Sequence, residues 1–476
     1  MLILGGNQLA AGGYNVANSC RFEGAKMYHT FGSTSNRRTY TVSGWLKKSA
    51  NTELSFVFAG DLSGAYPYFD ARFDNSTGII NWYHSDGAGN QAFNLKTNRS
   101  FRDVSAWYHI VLAVDTTQAT SSNRLKIYVN GVQETSFSTA SYPSQNFDTA
   151  FNVSGYEAQY GAVRVNTPNY KGYMSELILI DGTALDPTSF GEFDEDTGIW
   201  KPIDVSGLTF GTNGYYLQFQ DSSALGDDTS GNTNDFTLSG ISSIDQTTDT
   251  PTNNFATLNY NLPLFSSSFS EGNCKWTPTT ASQYYWVNST IGLSQGKWYM
   301  EAKLTTAANH NGIGISSDEP ADSTTYFAGS GGSGDANDAY QWNYLSSDGK
   351  IYNNVSSSAY GSTYTTGDII GMYLDLDNNK LYFAKNGTIQ NSGTGVSITD
   401  PGSVPTGVYF PCVADGTSSN SSVWEVNFGN PTFTISSGNS DPNGYGNFEY
   451  DPSAGTFDGV SKNFYALNTK NLAEYG

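Results

Sequence analysis

Apolar and polar residues alternate with a period of two along much of this chain. In Trp107–Asp115 (WYHIVLAVD) every second residue from Tyr108 onward is apolar. This period puts alternate side chains on opposite faces of a β-strand, so the segment is predicted to be a half-buried strand of a sandwich. The same pattern recurs in residues 124–130, 296–304 and 423–429. An all-β fold with almost no helix is therefore expected.

Only one stretch has the features of a helix, residues 184–193 (ALDPTSFGEF). Asp186 is suited to be its N-cap, and Pro187 then occupies the first helical position, where proline is favoured. The glycine inside the stretch limits the predicted helix to about two turns.

Two similar hairpins divide the chain into halves. The segment 109–131 ends its second strand in Asn-Gly, and so does 369–387. Asn-Gly favours a type I′ turn, in which both central residues have positive φ. Each half also closes with a similar phrase, NNFATLN at 253–259 and KNFYALN at 462–468.

These features predict two tandem β-sandwiches. The polar, Pro-containing text near residue 250 has the composition of a linker. The expected organisation is an N-terminal arm at 1–19, a sandwich at 20–245, a linker at 246–264 and a second sandwich at 265–476. The arm is expected either to fray or to anchor onto a partner.

Composition narrows the classes of partner. Charged residues are 14% of the 476 residues, and 44 acidic against 23 basic side chains give a net charge of -21. This balance argues against binding to nucleic-acid backbones and to anionic membrane surfaces. Three widely separated cysteines form no disulfide framework or metal knuckle, so buried thiols are expected.

The N-terminus predicts no cleaved export signal. Met1–Leu4 is apolar, but Gly5 and Gly6 follow at once, so the apolar run is too short for a secretory signal. No apolar run reaches the length of a membrane span. The low share of charged residues and the many Gly, Ser, Thr and Asn residues are typical of exterior proteins, although no export signal is predicted. A virion component released by host lysis would reconcile these two observations. Secretion without a cleaved signal is the alternative.

Several segments together resemble known families. GWLKKS (44–49), AWYHIVLAVDTT (106–117), RLKIYVNGV (124–132) and GYMSELILIDGTALDP (172–187) resemble the laminin-G/pentraxin type of concanavalin A-like domain. GDIIGMYLDLDNNKLYFAKNG (367–387) resembles a SPRY domain, which is also a β-sandwich. The resemblance implies jelly-roll sandwiches in both halves, and the tandem order resembles structural proteins of tailed phages of marine type.

Some enzymes of the concanavalin A-like fold carry E-x-D-x-E on one rigid strand. Glu192, Asp194 and Asp196 in GEFDED invite that comparison. The last acid is Asp where the family has Glu, and no alternating apolar residues surround the motif. We therefore expect a solvated loop and predict no catalytic residues.

One loop gathers the ligand types that Ca²⁺ prefers. The candidate ligands in DDTSGNTND are Asp227, Asp228, Asn232, Asn234 and Asp235. Hard oxygen ligands suit calcium. Asx-rich turns also satisfy their own backbone without a metal, and both alternatives stay open.

Glycan binding requires exposed aromatic faces beside polar side chains. Trp82 and Tyr83 flank a Gly-rich turn with Asp86 and Asn90, and these four residues are the predicted glycan site. The aromatic residues of 340–344 (YQWNY) share one strand face, so core burial is expected for them.

The resulting hypothesis is a non-catalytic virion surface or tail-fibre protein. It would bind other virion proteins and host-surface polysaccharide, and would assemble as a homo-oligomer such as a trimer. The alternatives are a secreted polysaccharide-degrading enzyme and a cellular adhesin.

Overall fold

The computed structural model describes residues 13–61, 67–75, 77–86, 90–163, 167–261, 267–279, 284–317, 339–354, 356–416 and 422–476. These residues form two compact units, one ending at Asn253 and the other beginning at Asn254. Both units are built of antiparallel sheets, and Thr469–Tyr475 is the one α-helix of the described residues. The predicted all-β fold is confirmed. None of the helices in these ranges has the length and apolarity needed to cross a bilayer.

The first unit consists of short strands and three 3-10 turns. The strands are β1 Ser19–Glu23, β2 Lys26–Thr30, β3 Thr39–Lys48, β4 Leu54–Gly60, β5 Tyr68–Phe73, β6 Ile79–Ser85, β7 Gln91–Ser100, β8 Trp107–Asp115, β9 Leu125–Val129, β10 Val132–Gln133, β11 Phe137–Ser141, β12 Glu157–Tyr160, β13 Ala162–Val163, β14 Thr167–Pro168, β15 Lys171–Asp181, β16 Gly191–Phe193, β17 Trp200–Pro202, β18 Tyr215–Leu217, β19 Thr237–Ser239 and β20 Gln246–Thr247. The 3-10 turns are Ser121–Asn123, Pro187–Ser189 and Ser243–Asp245.

Two eight-stranded sheets enclose the core of the first unit. One has the order β10-β9-β8-β3-β15-β1-β20, with β18 also paired to β15, and we call it the front sheet. The other, the back sheet, has the order β11-β7-β6-β5-β4-β12-β2-β19. Hairpins β13–β14 and β16–β17 lie outside both sheets.

The front sheet is buried on both of its faces. On β8, Tyr108, Ile110, Leu112 and Val114 pack into the core between the sheets, as the period-two pattern predicts. The opposite face, including Val111, packs against a second apolar layer. That outer layer consists of Trp45, Trp107, Val111, Tyr173, Ile178, Ile180, Phe190, Trp200, Val205, Phe210 and Tyr216. The expectation of half-buried strands is therefore wrong for this sheet, because the 185–216 segment covers its second face.

The second unit repeats this plan with different strands. They are β21 Ser267–Ser270, β22 Lys275–Pro278, β23 Tyr284–Asn288, β24 Lys297–Thr306, β25 Asn311–Ser316, β26 Gln341–Leu345, β27 Lys350–Asn353, β28 Ser356–Ala359, β29 Ile369–Asp375, β30 Lys380–Lys385, β31 Thr388–Ile389, β32 Val396–Ser397, β33 Phe410–Gly416, β34 Val423–Asn427 and β35 Tyr465–Ala466. Helix α1 is Thr469–Tyr475, and 3-10 turns lie at Glu271–Asn273, Asn391–Gly393 and Pro401–Ser403.

A nine-stranded and a six-stranded sheet form the second sandwich. The nine-stranded sheet runs β21-β22-β34-β24-β29-β30-β31, with β32 paired to β30 and β35 parallel to β24. The six-stranded sheet runs β23-β33-β25-β26-β27-β28. Trp342 and Tyr344 of β26 lie in the core as expected, whereas Tyr340, the third aromatic residue of YQWNY, is half-buried against it. An outer layer again covers the nine-stranded sheet, formed by Phe255, Tyr299, Tyr373, Tyr382, Ala384, Phe448, Phe457, Phe464 and Ala466.

The predicted type I′ turns are present in both units. Asn130 and Gly131 have φ of 49° and 78°, and Asn386 and Gly387 have φ of 48° and 75°. Each asparagine also uses its side chain in the same way. The Asn130 Oδ1 accepts from the His109 N–H at 2.7 Å, and the Asn386 Oδ1 accepts from the Ile369 N–H at 2.8 Å.

The predicted helix at 184–193 is only a 3-10 turn. Asp186 does act as its N-cap, accepting from the Thr188 N–H, but Gly191–Phe193 is strand β16. The α-helix of the described residues is instead α1, capped by the Asn468 side chain, which accepts from the Asn471 N–H. No pattern singled out in the sequence predicted this helix.

The segment predicted as a linker is packed into the two units. Thr247 pairs with β1, and Asp249 is fully buried. Phe255 forms a bridge with Asn468, so NNFATLN does not close the first sandwich as predicted. Its residues from Asn254 onward belong to the second unit, where they pair with the matching phrase KNFYALN.

Candidate functional site

The two aromatic residues of the predicted glycan site lie on opposite faces of β6. Trp82 is fully buried in the core, where its ring meets Phe69 and Phe93 edge-on. Tyr83 lies on the outer face of the back sheet and is 7% exposed. The expectation of an exposed aromatic pair is therefore wrong. Adjacent residues of a strand point to opposite faces, so Trp82 enters the core, and Tyr83 on the other face is covered by Arg72.

Tyr83 belongs to a compact polar group that we call the Arg72 cluster: Glu53, Ser55, Asp70, Arg72 and Tyr83. The Asp70 carboxylate accepts from the Ser55 hydroxyl at 2.7 Å and from the Tyr83 hydroxyl at 3.1 Å. Arg72 pairs with Asp70 at 2.5 Å and with Glu53 at 2.7 Å. Burial raises the pKa of Asp70 to about 6, although Arg72 opposes that shift.

The side chains of the Arg72 cluster bond mainly to one another, which leaves little of their surface for a ligand. The guanidinium lies over the Tyr83 ring, 4.9 Å from its centroid, so the aromatic face is occupied. The alternation of residues in β5 could have predicted this cluster. In β5, YFDARF, the charged residues Asp70 and Arg72 alternate with the core residues Phe69 and Phe73.

Asp86 and Asn90 form a closed turn. The Asp86 carboxylate accepts from the Asn90 N–H at 3.0 Å and from its side-chain amide at 2.9 Å. The glycines between them lie outside the described residues. Both residues are exposed, so the polar half of the predicted glycan site is accessible while its aromatic half is not.

The candidate calcium loop is organised around the Asp228 carboxylate. It accepts from the N–H groups of Tyr216 at 2.8 Å, Ser230 at 2.9 Å and Asn234 at 2.9 Å. The Ser230 hydroxyl donates to it as well, at 2.8 Å. These donors are those of an Asx-stabilised turn, and they occupy the oxygens that would face a cation.

The other members of the loop also have protein partners. The side-chain amides of Asn232 and Asn234 both donate to the Gly214 carbonyl, and the Asp235 carboxylate accepts from the Asp228 N–H. Asp227 is exposed. The described part of the chain holds no group of three or more His, Cys, Asp or Glu side chains arranged to bind a metal. The calcium site stays a prediction, and the loop geometry accounts for its composition without a cation.

The acids of GEFDED do not form one solvated loop. Glu192 lies on β16 and is exposed, whereas Asp194 is only 4% exposed. The Asp194 carboxylate accepts from the Thr197 N–H at 2.9 Å and pairs with Lys201 at 3.1 Å. These contacts lower the pKa of Asp194. The expectation of a solvated loop is therefore wrong for Asp194, which fixes the turn between β16 and β17.

Family profiles match both units. The profile of the concanavalin A-like lectin/glucanases superfamily matches residues 23–188, and that of the SPRY domain matches residues 297–431. The chain carries a concanavalin A-like domain followed by a SPRY domain. The Arg72 cluster lies inside the concanavalin A-like match, whereas the candidate calcium loop follows it. No curated protein matches the chain.

Solved structures are similar to parts of the chain at low identity. The SPRY domain of human HERC1 is 17% identical over 34% of this chain and 91% of that one, with a TM-score of 0.27. A heptameric SAP-like pentraxin from Limulus polyphemus is 13% identical over 36% of this chain and 79% of that one, with a TM-score of 0.28. Stonustoxin is 17% identical over 36% of this chain and 27% of its own, with a TM-score of 0.27.

Proposed function

We propose that this protein is a non-catalytic recognition component of a virus particle, located on the virion surface or in a tail fibre. In this proposal its two sandwiches bind other virion proteins and host-surface glycans. A concanavalin A-like domain and a SPRY domain are both typical binding modules, and their tandem order fits a binding or adhesin role.

The observation that carries the non-catalytic part of the proposal is the role of three buried acids, Asp70, Asp194 and Asp249. Asp70 and Asp194 pair with Arg72 and Lys201, as described above. Asp249 accepts from Lys47 at 2.6 Å and from the Trp107 indole at 3.0 Å. General acid–base catalysis needs a carboxyl that is free to exchange a proton with a substrate. These carboxylates are engaged in holding the chain's own strands and turns.

The composition supports a location on an exterior particle. A net charge of -21 keeps a protein dispersed and disfavours adhesion to nucleic acid inside a host cell. The few charged residues and the many Gly, Ser, Thr and Asn residues suit short strands joined by turns, which are common in fibres.

Immunogold electron microscopy tests the location. Antibodies against the purified chain should label particles isolated from the lysates in which the chain is expressed, at the capsid surface or on the tail. Antibody preabsorbed with the purified chain is the control. Intact particles that carry no label and no peptides of this chain by mass spectrometry would contradict the virion assignment.

Incubation with a polysaccharide panel tests the absence of catalysis. Laminarin, cellulose, alginate and agarose should show no new reducing ends after incubation with the purified chain. Turnover that is lost in the Asp70→Asn variant would overturn the non-catalytic role and favour the enzyme alternative.

The proposal includes a closed homo-oligomer, with a trimer as the expected form. Light scattering coupled to size-exclusion chromatography measures this directly, because the monomer mass is 51.4 kDa. A monomer at micromolar concentration would contradict self-assembly of the free chain while leaving the particle-labelling result intact.

A further inference from the structure

The SPRY-containing unit has an open groove of about 580 Å³ where β24 begins. Lys297 and the β29–β30 turn residue Asp377 line one part, and Ser461, Asn463, Tyr465 and Tyr475 line another. This volume falls within the range of small-molecule sites, roughly 300–1,000 Å³. Two segments singled out in the sequence, 367–387 and KNFYALN (462–468), contribute residues to this groove, but both were predicted only as structural elements.

Two tyrosines form the aromatic wall of the groove. The rings of Tyr465 and Tyr475 are stacked, with centroids 3.9 Å apart and planes inclined by 15°. Tyr465 lies on β35, which pairs with β24, and Tyr475 is at the end of α1. Both side chains are half-buried, so the pair is anchored and still reaches solvent. Stacking covers one face of each ring, so the ring surface that stays exposed is what can pack against the C–H face of a sugar ring.

The floor of the groove is a glycine that a larger residue could not replace. Gly296 has a φ of +84°, and a Cβ there would come within 2.6 Å of the Tyr475 carbonyl oxygen. Its N–H donates to the Asp377 carboxylate at 2.8 Å. Gly296 therefore permits the close approach of the Tyr475 backbone and holds the Asp377 carboxylate beside the groove.

The charged side chains in and beside the groove are paired with one another. Lys297 is ion-paired with Asp377 and lies 3.9 Å from Asp375. Lys462 pairs with the other oxygen of Asp375 at 2.8 Å. The two charged side chains that line the groove, Lys297 and Asp377, therefore neutralise each other. This arrangement favours a neutral ligand over a sulfated or carboxylated one.

Two polar side chains in the groove are available for hydrogen bonds. Neither the Ser461 hydroxyl nor the Asn463 amide has a partner among the described residues, and both are exposed. A hydroxyl and an amide can each donate and accept, which is what the hydroxyl groups of a sugar require.

We propose that this groove, with its Tyr465–Tyr475 wall and its Ser461 and Asn463 rim, is a binding site for a neutral oligosaccharide. The inference rests on the proposed glycan-binding function and assigns it to this unit. The proposed glycan site thus lies at aromatic rings that line an open groove, and not at Trp82 and Tyr83, whose rings are covered.

The test uses the full chain and isothermal titration with a panel of neutral trisaccharides: cellotriose, laminaritriose, maltotriose and mannotriose. A sulfated trisaccharide serves as the charged comparison. Ser461→Trp should block the groove and Asn463→Ala should remove one hydrogen-bonding partner, with affinity falling about tenfold or more, as expected for a loss of about 1.4 kcal/mol. Matched controls are Ser222→Trp and Asn123→Ala, which change exposed residues of the other unit.

The possible outcomes separate this inference from the proposed function. Binding of a neutral trisaccharide that is lost in the groove variants and kept in both controls is the expected result. Binding that survives Ser461→Trp would overturn the groove assignment while supporting glycan recognition elsewhere. No binding of any neutral probe, or a preference for the sulfated one, would overturn the inference even if the chain labels particles.

Discussion

Glu176 lies buried beneath the outer layer of the front sheet, and Glu301 lies buried beneath that of the nine-stranded sheet. The two carboxylates are held differently. Glu176 of the first unit interrupts β15 at a bulge, where its φ is 51°. Its carboxylate accepts from the Tyr216 hydroxyl and, at 3.3 Å, from the Tyr14 hydroxyl. Tyr14 belongs to the N-terminal arm, which was expected either to fray or to anchor onto a partner, and it ties that arm to the front sheet of the same chain.

Glu301 of the second unit has more donors and a regular backbone. Its carboxylate accepts from the Tyr299 hydroxyl at 3.0 Å and from the Asn427 amide at 3.1 Å. It also accepts from the N–H groups of Glu449 at 3.0 Å and Tyr450 at 2.7 Å. Glu301 thus fastens the returning C-terminal segment to β24.

The comparison shows that burial outweighs hydrogen bonding at both sites. Burial raises the pKa of Glu176 to about 7 with two phenol donors. It also raises the pKa of Glu301 to about 7, even though that carboxylate has four donors, two of them backbone N–H groups. An outer layer over a sheet therefore imposes a desolvation cost that ordinary hydrogen bonds offset only in part.

The largest expected effect is that of removing Glu301. Glu301→Ala leaves two backbone N–H groups and two side-chain donors unpaired in a buried place, and should cost about 3 kcal/mol or more of unfolding free energy. Urea denaturation followed by tryptophan fluorescence measures the loss. Hydrogen exchange of β24 should localise it to the second unit. Equal loss on Glu176→Ala would contradict the difference between the sites.

A second expected effect is a fall in stability with rising pH. Both glutamates have folded pKa values raised from 4.5 to about 7, so the folded chain holds protons that the unfolded chain releases. Their contribution is full below about pH 4.5 and is lost as the pH rises through about 7. Each site should account for on the order of 1–3 kcal/mol over that range.

Glutamine variants isolate this pH effect. Glu176→Gln and Glu301→Gln should each flatten the dependence of unfolding free energy on pH between 5 and 8, since glutamine stays neutral. Glu195→Gln, at an exposed position, is the matched control and should leave the curve unchanged. A wild-type curve that rises steadily from pH 5 to 8 would show that other groups dominate.

The strands and turns of both units could be predicted, because their signals are local. The bounds of Trp107–Asp115 follow from alternation alone, and both Asn-Gly turns follow from the need for positive φ. Alternation also assigns Trp82 and Tyr83 to different faces. It does not reveal whether the second face is covered, which depends on segments distant in the sequence.

The outer layers are where sequence reasoning failed, and His109 illustrates why. The half-buried strand predicted for Trp107–Asp115 has its apolar residues on one face, and His109 lies on the other. In the structure, the Trp200 indole donates to its Nδ1 at 3.0 Å, and its Nε2 lies 2.9 Å from the Ser43 hydroxyl. Trp200 reaches it from a hairpin about ninety positions away. Local periodicity carries no information about such a contact.

The two Asn-Gly turns allow the same substitution to be made at equivalent positions of each unit, with a smaller expected effect on stability. Asn130→Ala and Asn386→Ala each place an alanine at positive φ and remove the side-chain acceptor for a strand N–H. We expect each to cost about 1–2 kcal/mol of unfolding free energy. The glycine variants Asn130→Gly and Asn386→Gly relieve the backbone strain, so they should cost less. A large difference between the two alanine variants would show that the turns are not equivalent.

The smallest expected effect concerns calcium. The Asp228 carboxylate is saturated by three backbone N–H groups and the Ser230 hydroxyl, so the 227–235 loop should hold its shape without a cation. Thermal unfolding in EDTA and in millimolar CaCl₂ should give the same midpoint. Asp228→Ala should lower that midpoint equally in both, because it removes a turn and not a metal ligand. Asp227→Ala, at an exposed residue whose carboxylate could face a cation, is the matched control. A midpoint that rises with CaCl₂ in the wild-type chain and not in Asp227→Ala would establish a calcium site, and the hydrogen bonds of Asp228 would then describe only the empty loop.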